Sequence, residues 1–338
     1  MTSSIVRRGG TADRRARSIR SKRGRRRAAD KPPLLGQAQT RSEGLRMNDP
    51  AIDVASVWSL CLASGNSVDS AMIWSMWSIA PAVTLPLLLF GAVYAAGVFR
   101  RAAEPHDSGA LCCEMTAAAA AMLLLVAAVV SPLCRLSAAL ASVHMVQHLV
   151  LVVLVPQLIV VAAPVRTLGA GLRRATCATS SNGRQELQWN RPLLAAGAYG
   201  FLIWFWHAPA TYELALTSAG WHLLYLGSLM LVSLWFWACV FHTGSIGAAA
   251  LALLLTMVHT GLLGALLTFA PLPLYPVMGG GAIAFGLSPI EDQQLAGLIM
   301  WVPMGSIYLL SALWVVSRGF SARSLGQSSA PTGSSDWK

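Results

Sequence analysis

Seven stretches of this chain stay apolar for close to the length that crosses a bilayer: about 77–98, 114–133, 143–163, 192–207, 222–241, 247–270 and 295–317. A helix needs roughly 20 predominantly apolar residues to span a hydrocarbon core about 30 Å thick. In lipid, only a helix or a closed barrel satisfies every backbone N–H and C=O. The expected fold is therefore all-α, a polytopic membrane helix bundle of seven transmembrane helices. The fourth stretch is the shortest and has the least defined limits. Composition agrees, since only 12% of residues are charged, against about 25% in soluble domains.

The net charge of +11 is concentrated at one end. Residues 1–50 carry fourteen Lys/Arg and four acids, leaving the remaining residues near neutral. Residues 1–46 read as a basic arm too charged to fold alone. Such an arm suits nucleic acid or anionic lipid. The plainer reading is favoured: Met47 is the true start, the arm is an upstream artefact, and no nucleic-acid partner is expected. Residues 47–76 then form an outer N-terminal segment, 77–317 the seven-span domain, and 318–338 a cytoplasmic tail. The two longest links are 164–191, polar and basic, and 271–294, rich in Pro and Gly and expected to pack as an irregular loop.

Lys/Arg near span ends set orientation. Arg100 and Arg101, Arg166 to Arg191, and Arg318 with Arg323 fall on one side, with Arg135 alone on the other. The expected orientation is N-terminus out and C-terminus in. On that reading His144, His148, His207 and His222 gather at the outer surface from three helices. His106 and His242 lie inside, and His259 lies mid-membrane.

His144-Met145-Val146-Gln147-His148 is the pattern richest in chemistry. Histidines four apart share a helix face, and ionisable groups at a span edge usually face the bundle interior. Such a pair suits a transition metal or haem iron. It equally suits interfacial histidines bonded to backbone carbonyls or headgroups. Thioether sulfur would favour Cu(I), and Met72, Met76 and Met145 lie at this level, although apolar filler accounts for them as well. Trp74, Trp77, Trp204, Trp206 and Trp221 read first as an interfacial aromatic belt, with Trp206 also able to support a ligand from behind. Asp292 is explained by N-capping of the seventh span. The six scattered cysteines form no CxxC and read mostly as buried apolar thiols. The sequence holds no nucleophile–base triad, phosphate-binding glycine loop or paired catalytic carboxylates, so no enzyme is expected.

Several stretches together resemble the CtaG-type cytochrome c oxidase assembly factors, a seven-span family associated with maturing haem–copper oxidases. They are Trp77-Ser78-Ile79-Ala80-Pro81, Ser131-Pro132-Leu133, the histidine pair with Leu149, and Trp206-His207-Ala208-Pro209 followed by Tyr212. Further along come Leu263 to Phe269, Leu274-Tyr275-Pro276, and Leu287 to Gly297 running on to Trp301. The resemblance covers roughly 75–317. It implies a multi-pass plasma-membrane protein whose partners are cytochrome c oxidase subunits and the lipid bilayer. It also implies a part in copper-centre maturation, with copper as a transient cargo. On that expectation His144 and His148 anchor the metal, His207 and His222 complete the set, and Asp292, Met145 and Trp206 support it or dock a partner. A partly solvated ligand set would favour release.

One departure stands out: family members commonly carry a second histidine four residues after the position of His222, and here it is Leu226. Tyr225 and His259 are the nearby candidates to compensate. Three rival readings stay open. One is a metal-free scaffold for oxidase subunits, and another a bis-histidine haem-binding electron carrier. The third, a transporter or channel, would call for charged or broken helices at mid-membrane.

Overall fold

A computed structural model describes residues 77–102, 108–162, 167 and 190–328. The basic arm, Met72, Trp74, Met76, Arg166, Arg173, Arg174 and His106 lie outside these residues. Among the described residues there is no strand. The helices are α1 (Pro81–Ala102), α2 (Ser108–Val129), α3 (Pro132–Ala139), α4 (Ala141–Val161), α5 (Asn190–His207), α6 (Pro209–Thr217), α7 (Ala219–His242), α8 (Ile246–Phe269), α9 (Gly279–Ala284) and α10 (Pro289–Ser328).

Six of these helices are long and apolar enough to cross a membrane. A seventh span exists only if α5 and α6 are taken together, and they meet at a 76° bend. The cause is local. Ala208 is extended (φ −65°, ψ 133°) between His207 and Pro209, and a residue before proline is pushed out of the helical region. Pro209 then opens α6, where its missing N–H costs nothing. The fourth expected span is thus short because the chain turns at its His207 end. At the other extreme α10 starts at Pro289 and runs to Ser328, so the expected tail from 318 begins as helix.

Burial follows membrane logic. Leu85, Leu88 and Leu89 on α1 and Leu231 on α7 are 63–70% exposed, while small and aromatic residues fill the interior. α8 and α10 approach so closely that a Cβ on Gly297 would sit 2.5 Å from the Gly264 carbonyl oxygen, and a Cβ on Gly264 2.8 Å from that of Gly297. Small residues at a helix crossing supply the close packing that replaces hydrophobic driving force in lipid. Both glycines belong to the stretches quoted above.

α4 contains a π-helical segment, Leu149–Leu154. Such segments loosen the regular backbone ladder, and here the Tyr199 hydroxyl donates to the Val152 carbonyl at 3.2 Å. Tyr308 lies 2.7 Å from the Tyr199 hydroxyl, and Trp237 stacks on Tyr308 with ring centres 5.8 Å apart. This knot fixes α4 against α5, α7 and α10. Cys112, Cys113 and Cys239 are free thiols, and Cys134 is disulfide-bonded.

Candidate functional site

The first turn of α4 carries the site, and a residue far away in sequence holds it. Leu140, at the N-cap position, offers no side-chain hydrogen bond. The Asp292 carboxylate supplies the cap instead, accepting from the Ala141 N–H at 2.6 Å, the Ser142 N–H at 3.1 Å and the Ser142 hydroxyl. Asp292 is 1% exposed. A buried carboxylate at a helix N-terminus meets both unpaired donors and the positive end of the dipole. The expected capping of its own helix is therefore corrected. Ser288 and Glu291 do that work: the Ser288 hydroxyl accepts from the Glu291 N–H at 3.3 Å, and Glu291 accepts from the Ser288 N–H at 2.8 Å. That reciprocal pair is a capping box.

Gln147 secures the other side of the turn, donating to the Ala128 carbonyl at 2.7 Å. The histidines then project inward. His144 Nδ1 lies 3.2 Å from the Ser137 carbonyl oxygen, His207 Nδ1 2.7 Å from that of Ile203, and His222 Nδ1 2.9 Å from that of Ala215. A carbonyl oxygen only accepts, so each Nδ1 carries the proton, and each neutral ring keeps its lone pair on Nε2. A backbone partner on one ring nitrogen is how ligating imidazoles are commonly oriented.

His144 and His148 bring their Nε2 atoms to 3.1 Å. Two lone pairs at that distance repel, so a proton on His148 Nε2, or a cation shared by both rings, is what holds them together. The Tyr225 hydroxyl lies 3.1 Å from His144 Nε2 and also bonds His148 Nε2. His207 packs beside His148, with ring centres 5.4 Å apart, and its Nε2 is buried without a hydrogen-bond partner. His222 packs beside Tyr225, with ring centres 5.8 Å apart. All four histidines are buried rather than partly solvated.

Tyr225 is thus the hub, touching three of the four histidines. Of the two neighbours considered beside Leu226, Tyr225 reaches the histidine cluster. His259 lies against Gly200 on α5, where a Cβ would be 3.0 Å from its Nε2, and both its ring nitrogens are buried without partners. Trp206 supports the site once removed, its ring packed edge-on to Tyr225 with ring centres 5.5 Å apart and its indole N–H donating to Ser228 at 3.0 Å. Met145 is buried in the apolar core. A thioether reaches the cluster's edge from Met278, which accepts from the Tyr212 hydroxyl at 3.2 Å, while the Tyr212 ring packs on His144. Tyr275 stacks on Tyr212 and donates to the His207 carbonyl at 2.8 Å. Burial pushes its phenol up, which keeps that donor protonated. Tyr212, Tyr275 and Met278 close the site from the loop side. Only Tyr212 and Tyr275 had a sequence signal, as members of the quoted stretches.

The donor chemistry fits a soft or borderline metal: neutral imidazoles, two of them 3.1 Å apart and a third with an unused nitrogen. Among the described residues, however, no three His, Cys, Asp or Glu are arranged so that they could hold a metal ion as they stand.

An all-helical membrane bundle with this inward-facing histidine cluster defines the class as a polytopic membrane protein with a buried polar site. The cytochrome c oxidase caa3 assembly factor family (Caa3_CtaG) matches residues 92–321, and the chain belongs to it. No curated protein and no solved structure matches the chain. Membership supports a role in cytochrome c oxidase assembly and hence association with the oxidase.

Proposed function

We propose that this assembly factor holds copper transiently on its buried histidines and passes it to an oxidase subunit. The observation that carries the reading is the disposition of ring nitrogens. Three imidazoles are held through Nδ1 by backbone carbonyls, and the His207 Nε2 is buried with no partner beside the His144–His148 pair. A buried nitrogen lone pair without a partner is costly, and binding a cation recovers that cost. On this reading His144 and His148 anchor the metal and His207 completes the set. His222, beside Tyr225, takes over the metal during transfer. Binding at His148 Nε2 requires the neutral ring's single proton to sit on Nδ1, and the ring releases no acid. The set stays open for release because Tyr225 offers the vacated nitrogens a hydroxyl partner.

The site is assigned to the outer face of the plasma membrane, N-terminus out and C-terminus in. Arg100, Arg101, Arg191 and Arg318 fall at the helix ends opposite the histidines, and the positive-inside tendency makes that end cytoplasmic. The factor acts by binding rather than by catalysis.

A second reading has its own observation. Tyr225 already satisfies the facing nitrogens of His144 and His148, which a metal-free scaffold needs. Comparing membranes with the parent chain and with a His144→Ala/His148→Ala variant separates the two. Under copper transfer, oxidase subunits accumulate normally in the variant, but copper per haem in the purified oxidase falls severalfold and excess copper partly restores it. Normal copper content with reduced subunit accumulation would leave the scaffold.

A further inference from the structure

Between α1 and α7, on the apolar flank of the bundle, lies a cavity of about 550 Å³. That is within the roughly 300–1,000 Å³ typical of small-molecule sites. Ala82, Pro86 and Phe90 of α1 form one wall and Gly227 of α7 part of the other, and His148 and Tyr225 lie at its polar end. Pro86 and Gly227 are exposed, and the neighbouring leucines of α1 and α7 face outward. The mouth therefore looks into hydrocarbon, and the cavity joins that hydrocarbon to the histidine cluster.

Three features set this cavity apart from a gap in packing. The lining is apolar except for the imidazole and hydroxyl gathered at one end, which is the pattern of a site that orients an amphiphile. Pro86 has no N–H to give the Ala82 carbonyl one turn earlier, so the α1 wall lacks that helix bond. Gly227 has nothing within 4 Å of where its Cβ would stand, so the α7 wall is open through lack of a side chain. Size narrows the occupant. From Ala82 to Phe90 the cavity follows α1 for about 12 Å at 1.5 Å per residue. That is far short of the roughly 30 Å a docked membrane helix would need, and it suits a ring with a short length of tail.

We propose that the cavity binds a membrane-dissolved, quinone-type lipid: a ring bearing carbonyl or hydroxyl oxygens, with an apolar chain. The ring oxygen meets the Tyr225 hydroxyl and His148 Nε2, and the chain lies past Pro86 and Gly227 towards the bilayer. This binding stands without the copper reading. If that reading also holds, the two ligands share His148, and each weakens the other by the same factor.

The test uses the full chain in lipid nanodiscs and a photoactivatable benzoquinone carrying a ten-carbon tail, with label sites mapped by mass spectrometry. Saturable labelling of residues 82–90 and 223–231 is expected, displaced by unlabelled decylbenzoquinone and not by decylbenzene, which lacks the oxygens. Gly227→Phe and, from the opposite wall, Ala82→Phe should each cut labelling at least tenfold. Tyr225→Phe should weaken affinity about three- to tenfold, the worth of one hydrogen bond. Labelling that does not saturate, that decylbenzene displaces equally well, or that survives both wall substitutions would overturn the proposal. Should neither wall variant fold, displacement by the two decyl compounds in the parent chain decides alone. Failure of copper binding alters none of these outcomes.

Discussion

The two ends of the bundle treat buried polar groups in opposite ways. At the end of α1 away from the histidines, Arg101 is paired with Glu114 and donates to Thr167 at 2.6 Å. Tyr94 lies 2.9 Å from the Ala162 carbonyl oxygen and 3.2 Å from that of Glu114. Charge meets charge and donors meet acceptors, and the network ties α1, α2 and the end of α4 together. At the histidine end, Asp292 and Gln147 hold the first turn of α4 just as firmly, yet beside it the Nε2 of His207 is buried without a partner. A saturated network stabilises and does little else. A rigid frame around unsaturated donors is what a binding site requires.

Substitutions sharpen that contrast. Glu114→Ala should be the most damaging, because it leaves a half-buried guanidinium without its partner. Losing one member of a buried pair costs about 3 kcal/mol or more. Thermal unfolding in detergent should fall clearly, while Cu(I) affinity per folded molecule stays unchanged. A matching loss of affinity would mean that the two ends are not independent. Next comes Asp292→Ala, which strips the cap from α4 at about 2 kcal/mol. Here stability and Cu(I) affinity should fall together, and Asp292→Asn should recover much of both. Full affinity in the alanine variant would show that the first turn of α4 does not need its distant cap. The mildest change is Tyr225→Phe, worth about 1 kcal/mol of stability. Because the hydroxyl competes for the same nitrogens, Cu(I) affinity should rise slightly; a large fall would make Tyr225 a ligand.

What the sequence disclosed follows from the range of the interactions concerned. The spans were legible because length and hydropathy are local properties, and lipid leaves no alternative to a helix. The His144–His148 face was legible because four residues is one helical turn. Even the bend at Ala208-Pro209 had its signal in proline chemistry, and the expected fourth span stopped just before it. Asp292 shows where such reading ends. Two acidic residues at a helix start explain each other locally, and nothing marks one of them as the cap of a helix 150 residues earlier. Tyr225 had a signal only as one of two neighbours of Leu226, and its place as the hub was silent. Its central place depends on the rotation of α7 relative to α4, which packing sets and periodicity does not. Met278 and the knot of Tyr199, Tyr308 and Trp237 were equally silent, being assembled from widely separated helices.

The most direct test of the account is Cu(I) stoichiometry and affinity in the purified full-length chain, measured by chelator competition. The parent should be set beside His144→Ala/His148→Ala, His207→Ala and His222→Ala. Near one Cu(I) per parent chain is expected, abolished in the double variant, weakened tenfold or more by loss of His207, and weakened less by loss of His222. Absence of tight binding in the parent, or binding untouched by the double variant, would contradict the claim that these buried imidazoles carry copper.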